Sequence, residues 1–306
     1  MVLLSMFIPR ILSITILSAA LAACATGPRP VNPEKSLALN LAEAGGIDGL
    51  KDQKIPAEDY GRITSSNLVM DAGWTAAITA SPAPGFSSGF GLGLGLLTML
   101  FPEPVGAKEN QVVAWMPTEM ATSPEDAQIK MRDIVAKAVE AALTELEWGH
   151  GPIELATYPF LWGNKIQMVA TWLYPDEMGC PSKEIKGKHC ILTVGILKPS
   201  LAKYSPAVIG GASQTNFFFE GDDAGNGFIR ASNVGDSAID TPRLYAMIAK
   251  HLPSWAYFYT PPARYLKIKT SDLDPKFPVI YYKGKAEIFA VPDTSKKEII
   301  VRKETP

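Results

Sequence analysis

Histidine and cysteine are scarce in this chain of 306 residues, with three of each. A structural zinc site of three or four nitrogen and sulfur ligands would consume most of them, and their spacing does not fit one. Charge of one sign is lacking too. Lys and Arg total 29 against 31 Asp and Glu, for a net charge of −2. No global basic field is therefore available to hold a nucleic-acid backbone, and nucleic acid is not an expected partner. Also missing are the G-x-S-x-G, H-E-x-x-H, P-loop and dinucleotide fingerprints. No cofactor or metal is expected, and the catalytic residues, if any exist, stay unassigned. Carboxylate-pair catalysis leaves no local signature, because its two acids need not be close in sequence. What the chain does have is 47% hydrophobic, 20% charged and 9% aromatic residues, a globular composition.

Each histidine has an ordinary structural explanation. His150, in Gly149-His150-Gly151-Pro152, follows a helix whose dipole favours a cation at that end. His189 abuts Cys190, and His251 sits beside Lys250 at the end of a second helix. The run Asp222-Asp223-Ala224-Gly225-Asn226-Gly227 loosely resembles a calcium loop. Ala224 occupies its third ligand position and Asn233 its terminal glutamate position, so a turn is the better reading.

Mean hydropathy is +0.07, slightly high for a soluble protein, and the excess has two addresses. The first is the N-terminus, where Arg10 precedes an apolar run from Ile11 to Ala20. Ten helical residues rise about 15 Å, half the hydrocarbon thickness, which suits a signal h-region better than a spanning helix. Pro9-Arg10 separates it from an earlier apolar stretch, Val2 to Ile8, and Met6 would make a natural start. The run ends in Leu21-Ala22-Ala23-Cys24, which resembles the lipobox of bacterial lipoproteins. The resemblance covers the signal only. It implies cleavage after Ala23 and a diacylglyceryl group on the Cys24 thiol, hence a membrane partner through a lipid anchor. Ala25, where an Asp would favour inner-membrane retention, implies the periplasmic face of the outer membrane. The organisation expected is a signal over 1–23, a lipidated cysteine with a Pro-rich tether over 24–35, and a periplasmic domain over 36–306. A possible subdivision falls near 199–213, which is rich in Pro, Gly and small residues. Losing Arg10 with the signal leaves 28 basic residues against 31 acidic ones, so no polybasic patch appears.

Cys180 and Cys190 remain. An even pair in an oxidising envelope compartment reads as a disulfide. The apolar flanks Met168–Tyr174 and Ile191–Leu197 read as strands, so the pair closes a hairpin loop.

The fold class expected is α+β, mainly antiparallel sheet with hairpins. Ser123-Pro124-Glu125-Asp126 supplies a cap, a first-turn proline and first-turn acids for a long helix over about 124–147, stopped by Gly149. Thr241-Pro242 opens a shorter helix over about 242–251, stopped by Pro253. Strands are expected at Gln111–Met116, Trp255–Tyr259, Val279–Tyr282 and Ala286–Val291, the last two joined at Lys283-Gly284-Lys285. Asn216–Phe219 and Phe228–Ala231 are expected to pair through a Gly/Asp turn.

The second apolar address runs from Ala72 to Pro102 and holds no charged residue. Gly89, Gly91, Gly93 and Gly95 alternate there with Phe90, Leu92, Leu94 and Leu96. An extended chain would place bare backbone on one face and large side chains on the other. A soluble helix is disfavoured at about 1 kcal/mol per glycine. Prolines 82, 84, 102 and 104 fence the segment off as a flap. It reads as core, as a partner or oligomer contact, or as a membrane insertion, with Phe86, Phe90, Leu92, Leu94, Leu96, Leu97 and Met99 as the contact residues.

Trp255, Tyr257 and Tyr259 would share one face of a strand. Exposed, that face would stack on glycan rings or grip a partner; buried, it is core. The function expected is a non-catalytic interaction or assembly component of the envelope, with an envelope protein or a second copy as partner. The alternative is an envelope hydrolase or glycan-binding lipoprotein acting on cell-wall material.

Overall fold

The computed structural model describes residues 28–57, 60–61, 109–160, 163–181, 189–211, 214–220, 227–233, 237–262, 275 and 277–294. Among these are three α-helices and twelve strands, mostly in antiparallel sheets, so the α+β class holds. Cys24, the signal and the whole flap from Ala72 to Pro102 lie outside the described residues, as do Asp222 to Asn226.

Helix α1 (Leu37–Ala44) has no counterpart in the sequence reading. Ser36 caps it, its Oγ accepting from the Leu39 N–H, and the same hydroxyl donates to Asp52. One face buries Ala38, Leu39, Leu41 and Ala42, and Gly45-Gly46 ends the helix, Gly46 at φ +77°. Strand β1 (Gln53–Pro56) follows.

Strand β2 (Gln111–Pro117) leads into α2 (Pro124–Glu145), which begins as the sequence predicts, with the Ser123 side chain accepting from the Asp126 N–H. Its end differs. The stop comes before Gly149, at Glu147, which takes a left-handed φ of +56°. The Trp148 N–H reaches the Leu143 carbonyl and the Glu147 N–H the Thr144 carbonyl, the paired bonds of a Schellman cap on a non-glycine residue. Burial of Trp148 and Leu146 in the core holds that conformation.

Next come β3 (Glu154–Pro159), β4 (Lys165–Leu173) and β5 (Cys190–Ile196), an antiparallel meander. Strands β6 (Ser200–Ala202) and β7 (Asn216–Phe219) pair with each other, so the Pro- and Gly-rich stretch near 199–213 carries an edge strand. Strand β8 (Phe228–Ser232) precedes α3 (Thr241–His251). The chain finishes with β9 (Ala256–Thr260), β10 (Val279–Tyr282), β11 (Lys285–Ile288) and β12 (Ala290–Asp293). Lys283 and Gly284, at φ +50° and +80°, make the primed turn expected between β10 and β11.

Strand order is β11-β10-β9-β2-β7-β6 in one sheet and β3-β4-β5-β8 in the other, with β1 and β12 paired in parallel apart. Two expectations are corrected here. β7 and β8 do not pair: β7 joins β2 and β6, while β8 joins β5 in the other sheet. Eight residues separate them, too many for a tight hairpin, and two short apolar strands carry no label naming their neighbours. Ala286–Val291 is not one strand either. It breaks at Phe289, whose carbonyl accepts from Gln53, and β12 leaves to meet β1.

The sheets meet where the Ile229 N–H reaches the Asn110 carbonyl at 3.4 Å and Arg230 pairs with Glu109 at 2.9 Å. Tyr245 of α3 stitches this seam, its Oη accepting from the Ala231 N–H at 3.0 Å and lying 3.4 Å from Asn110 Nδ2. Helix α2 packs on β4 and β5, α3 on β9 to β11, and the two helices on each other. Glu145 ties them at their ends through Lys250 and His251. Inside, Gln128 donates to the carbonyls of Lys165 and Ile196, clipping β4 and β5 under α2.

Candidate functional site

Sheet registry decides the fate of the aromatic face. Strand β9 is an interior strand between β10 and β2, and every one of its residues is buried. Tyr257 and Tyr259 have no exposed surface, so they form core and not a binding platform. Tyr257 donates to the Leu41 carbonyl of α1 at 2.7 Å, which brings that helix onto the sheet. Burial pushes both phenols far above the usual tyrosine range. Trp255 lies just before β9, half-buried and packed against the same core, its carbonyl taken by the Trp115 N–H. The physical reason is layer count. With α3 on one side and α1 on the other, an interior strand has no free face to offer.

The two cysteines are where the sequence puts them. Cys180 and Cys190 form a disulfide with Cα atoms 5.7 Å apart, closing the β4–β5 connection. Both are buried, and neither thiol is left to bind metal. Beside it, His189 lies between the rings of Trp172 and Tyr174, with centroids at 5.6 and 6.2 Å. His150 Nδ1 is 2.7 Å from the Gly151 carbonyl, and His251 meets Glu145 at 2.9 Å. The fold thus keeps the three histidines in separate local contacts. Among the described residues no group of three His, Cys, Asp or Glu side chains is placed to hold a metal ion.

Two concave places stand out. One, of about 300 Å³, opens beside the seam between the sheets, lined by Val112, Asn164, Lys198, Phe218, Glu220 and Gly227 among others. Lys198 on its rim pairs with Glu125 at 2.6 Å, and Phe218 in its lining stacks on Trp115 with ring centroids 4.9 Å apart. That volume is at the small end for ligand pockets. The other place, about 220 Å³, lies between the segment 29–35, α1 and the turn at Ala207–Ile209. There residues 29–35 of the stretch read as a Pro-rich tether are docked. The Arg29 carbonyl accepts from the Ala207 N–H at 3.1 Å, and its guanidinium donates to the Glu43 backbone carbonyl at 2.6 Å and to one Glu43 carboxylate oxygen at 3.0 Å. Lys35 reaches the other Glu43 oxygen at 2.5 Å. Buried Asn40 closes the segment, accepting from the Asn32 N–H at 2.8 Å and donating to the Asn32 carbonyl at 3.0 Å. The sequence reading missed this site. The signal for it was Ser36 as a cap before Leu37-Ala38-Leu39-Asn40-Leu41-Ala42, overlooked beside the prolines.

One acid near α1 is set against its surroundings. Burial raises the Glu287 carboxyl on β11, opposed in part by Lys285, and the neighbouring Tyr60 phenol is raised by burial, then by Glu287 and Asp52. A raised carboxyl favours the neutral form in the fold, so ionisation lowers stability as pH climbs above the usual glutamate range. Glu287→Gln should therefore melt higher than the parent at neutral pH and match it at acid pH below that range. A glutamine variant that melts lower at neutral pH in thermal scans would count against this.

No protein-family model matches the chain. No curated protein or solved structure matches it either. Among the described residues no helix is long and apolar enough to cross a membrane.

Proposed function

We propose that this chain is a lipid-anchored envelope protein, attached through Cys24 at the periplasmic face of the outer membrane. Its domain serves as an interaction or assembly component, with the Gly-rich segment 72–102 as the contact to an envelope partner or a second copy. The observation that carries the reading is Leu21-Ala22-Ala23-Cys24 behind an apolar run, and the Cys180–Cys190 disulfide fits the oxidising side of a membrane. The buried state of Tyr257 and Tyr259 takes away the aromatic platform on which glycan binding would have rested, and so favours the interaction reading over the alternative.

Cys24→Ser should move the protein from the membrane fraction to a soluble or uncleaved form. Unchanged fractionation after detergent-free washing would sink the anchor. A photo-crosslinker at Phe90 should capture a defined high-mass species in cells, and deleting 86–99 should abolish it while the disulfide and the fold persist. A deletion that only unfolds the domain would make the segment core.

A further inference from the structure

We infer that the domain is held directly against the lipid headgroups, with the surface around Arg29 facing the bilayer; this rests on the lipid anchor at Cys24. Only residues 25–28 separate that cysteine from Arg29. A fully extended residue spans at most about 3.6 Å, so the Arg29 Cα can lie no more than about 18 Å from the Cα of Cys24. Slack is not available further along. Arg29 is bonded to Ala207 and Glu43, Lys35 to Glu43, and Asn32 to a buried Asn40. Lengthening the leash would break all of these together.

The surface so presented suits a headgroup boundary. Val31 is 47% exposed and Leu37 38%, with Pro30, Pro33 and Ala207 exposed around them. Arg29 keeps over half of its side chain in solvent, an apolar stem that can lie along lipid with its charged head held by Glu43. A different surface is offered by β3, the outer strand of the other sheet, where Leu155 and Tyr158 are exposed. Strands β4 and β5 separate it from β8, the strand at the seam between the sheets, at about 4.8 Å per step.

The test uses the full lipidated protein in vesicles of phosphatidylethanolamine and phosphatidylglycerol that carry a headgroup-attached quencher. With Cys24 acylated and Cys180 joined to Cys190, a cysteine introduced at an exposed site is the one free thiol for a fluorophore. A label at Val31→Cys should be quenched several-fold more than one at Tyr158→Cys. Equal quenching, or stronger quenching at Tyr158, in protein that floats with the vesicles overturns the orientation and leaves the anchor standing. Protein that carries no acyl chain on Cys24 and stays in solution overturns both.

Discussion

Gly45→Ala should destabilise the domain by about 3 kcal/mol, at the upper end for overpacking a buried site. Gly45 ends α1 with a φ of −80°, a conformation open to alanine, so the effect is one of space. A methyl there would lie 2.2 Å from the Tyr257 hydroxyl and 3.0 Å from Val113 Cγ1. Tyr257 cannot swing aside, because it is fully buried and its hydroxyl donates to the Leu41 carbonyl. Tyr257→Phe removes the colliding oxygen, leaving the ring carbon at 3.4 Å and the tight 3.0 Å contact with Val113 Cγ1. Alone, that change should cost about 1 kcal/mol, since the Leu41 carbonyl still accepts from the Gly45 N–H. The double variant should then be more stable than Gly45→Ala alone, a non-additivity of about 2 kcal/mol in denaturant melts. Additive losses would mean that Gly45 and Tyr257 do not meet as described.

Opening the Cys180–Cys190 bridge is the second large effect expected. The bridge closes a loop of ten residues' separation, which loop-closure entropy values at about 3 kcal/mol. Cys190 also opens β5 and pairs with Leu173 of β4, so the bridge lies at the end of the β4–β5 ladder and guards it against fraying. Cys180→Ala/Cys190→Ala should lower the unfolding free energy from denaturant melts by that amount, and a reductant should do the same to the parent only. A reductant that shifts the double-alanine protein equally would show that the loss arises elsewhere.

What could be read without coordinates follows a physical line. The start of α2 was legible because Ser123, Pro124 and Asp126 act within one turn, and local chemistry suffices there. The β10–β11 turn and the disulfide were legible for the same reason. Strand partnership was not. Phe217 and Phe219 are apolar whichever sheet receives them, and β7 found β2 by competition among distant strands. The end of α2 was misplaced because Glu147 adopts a glycine's conformation under the pull of buried Trp148. Arg29 and Glu43 were invisible as a pair because their meeting depends on α1 and on the turn at Ala207, which belong to distant parts of the chain.

The six-stranded sheet is completed by a strand from the other half of the chain, β2, while the four strands of the other sheet all lie within residues 154–232. β2 lies before the meander β3-β4-β5 yet joins β9, and β8 lies before the meander β9-β10-β11 yet joins β5. Gln111 must therefore wait for Tyr259, nearly half the chain later, before the six-stranded sheet gains its full set of strands. Such long-range pairing makes folding slow and late, after the C-terminal strands are present. A chain delivered from one end through a membrane pore would emerge with its β2 edge unpaired until β9 followed, and holding that edge apart from its neighbours during transit is a task the fold itself cannot perform.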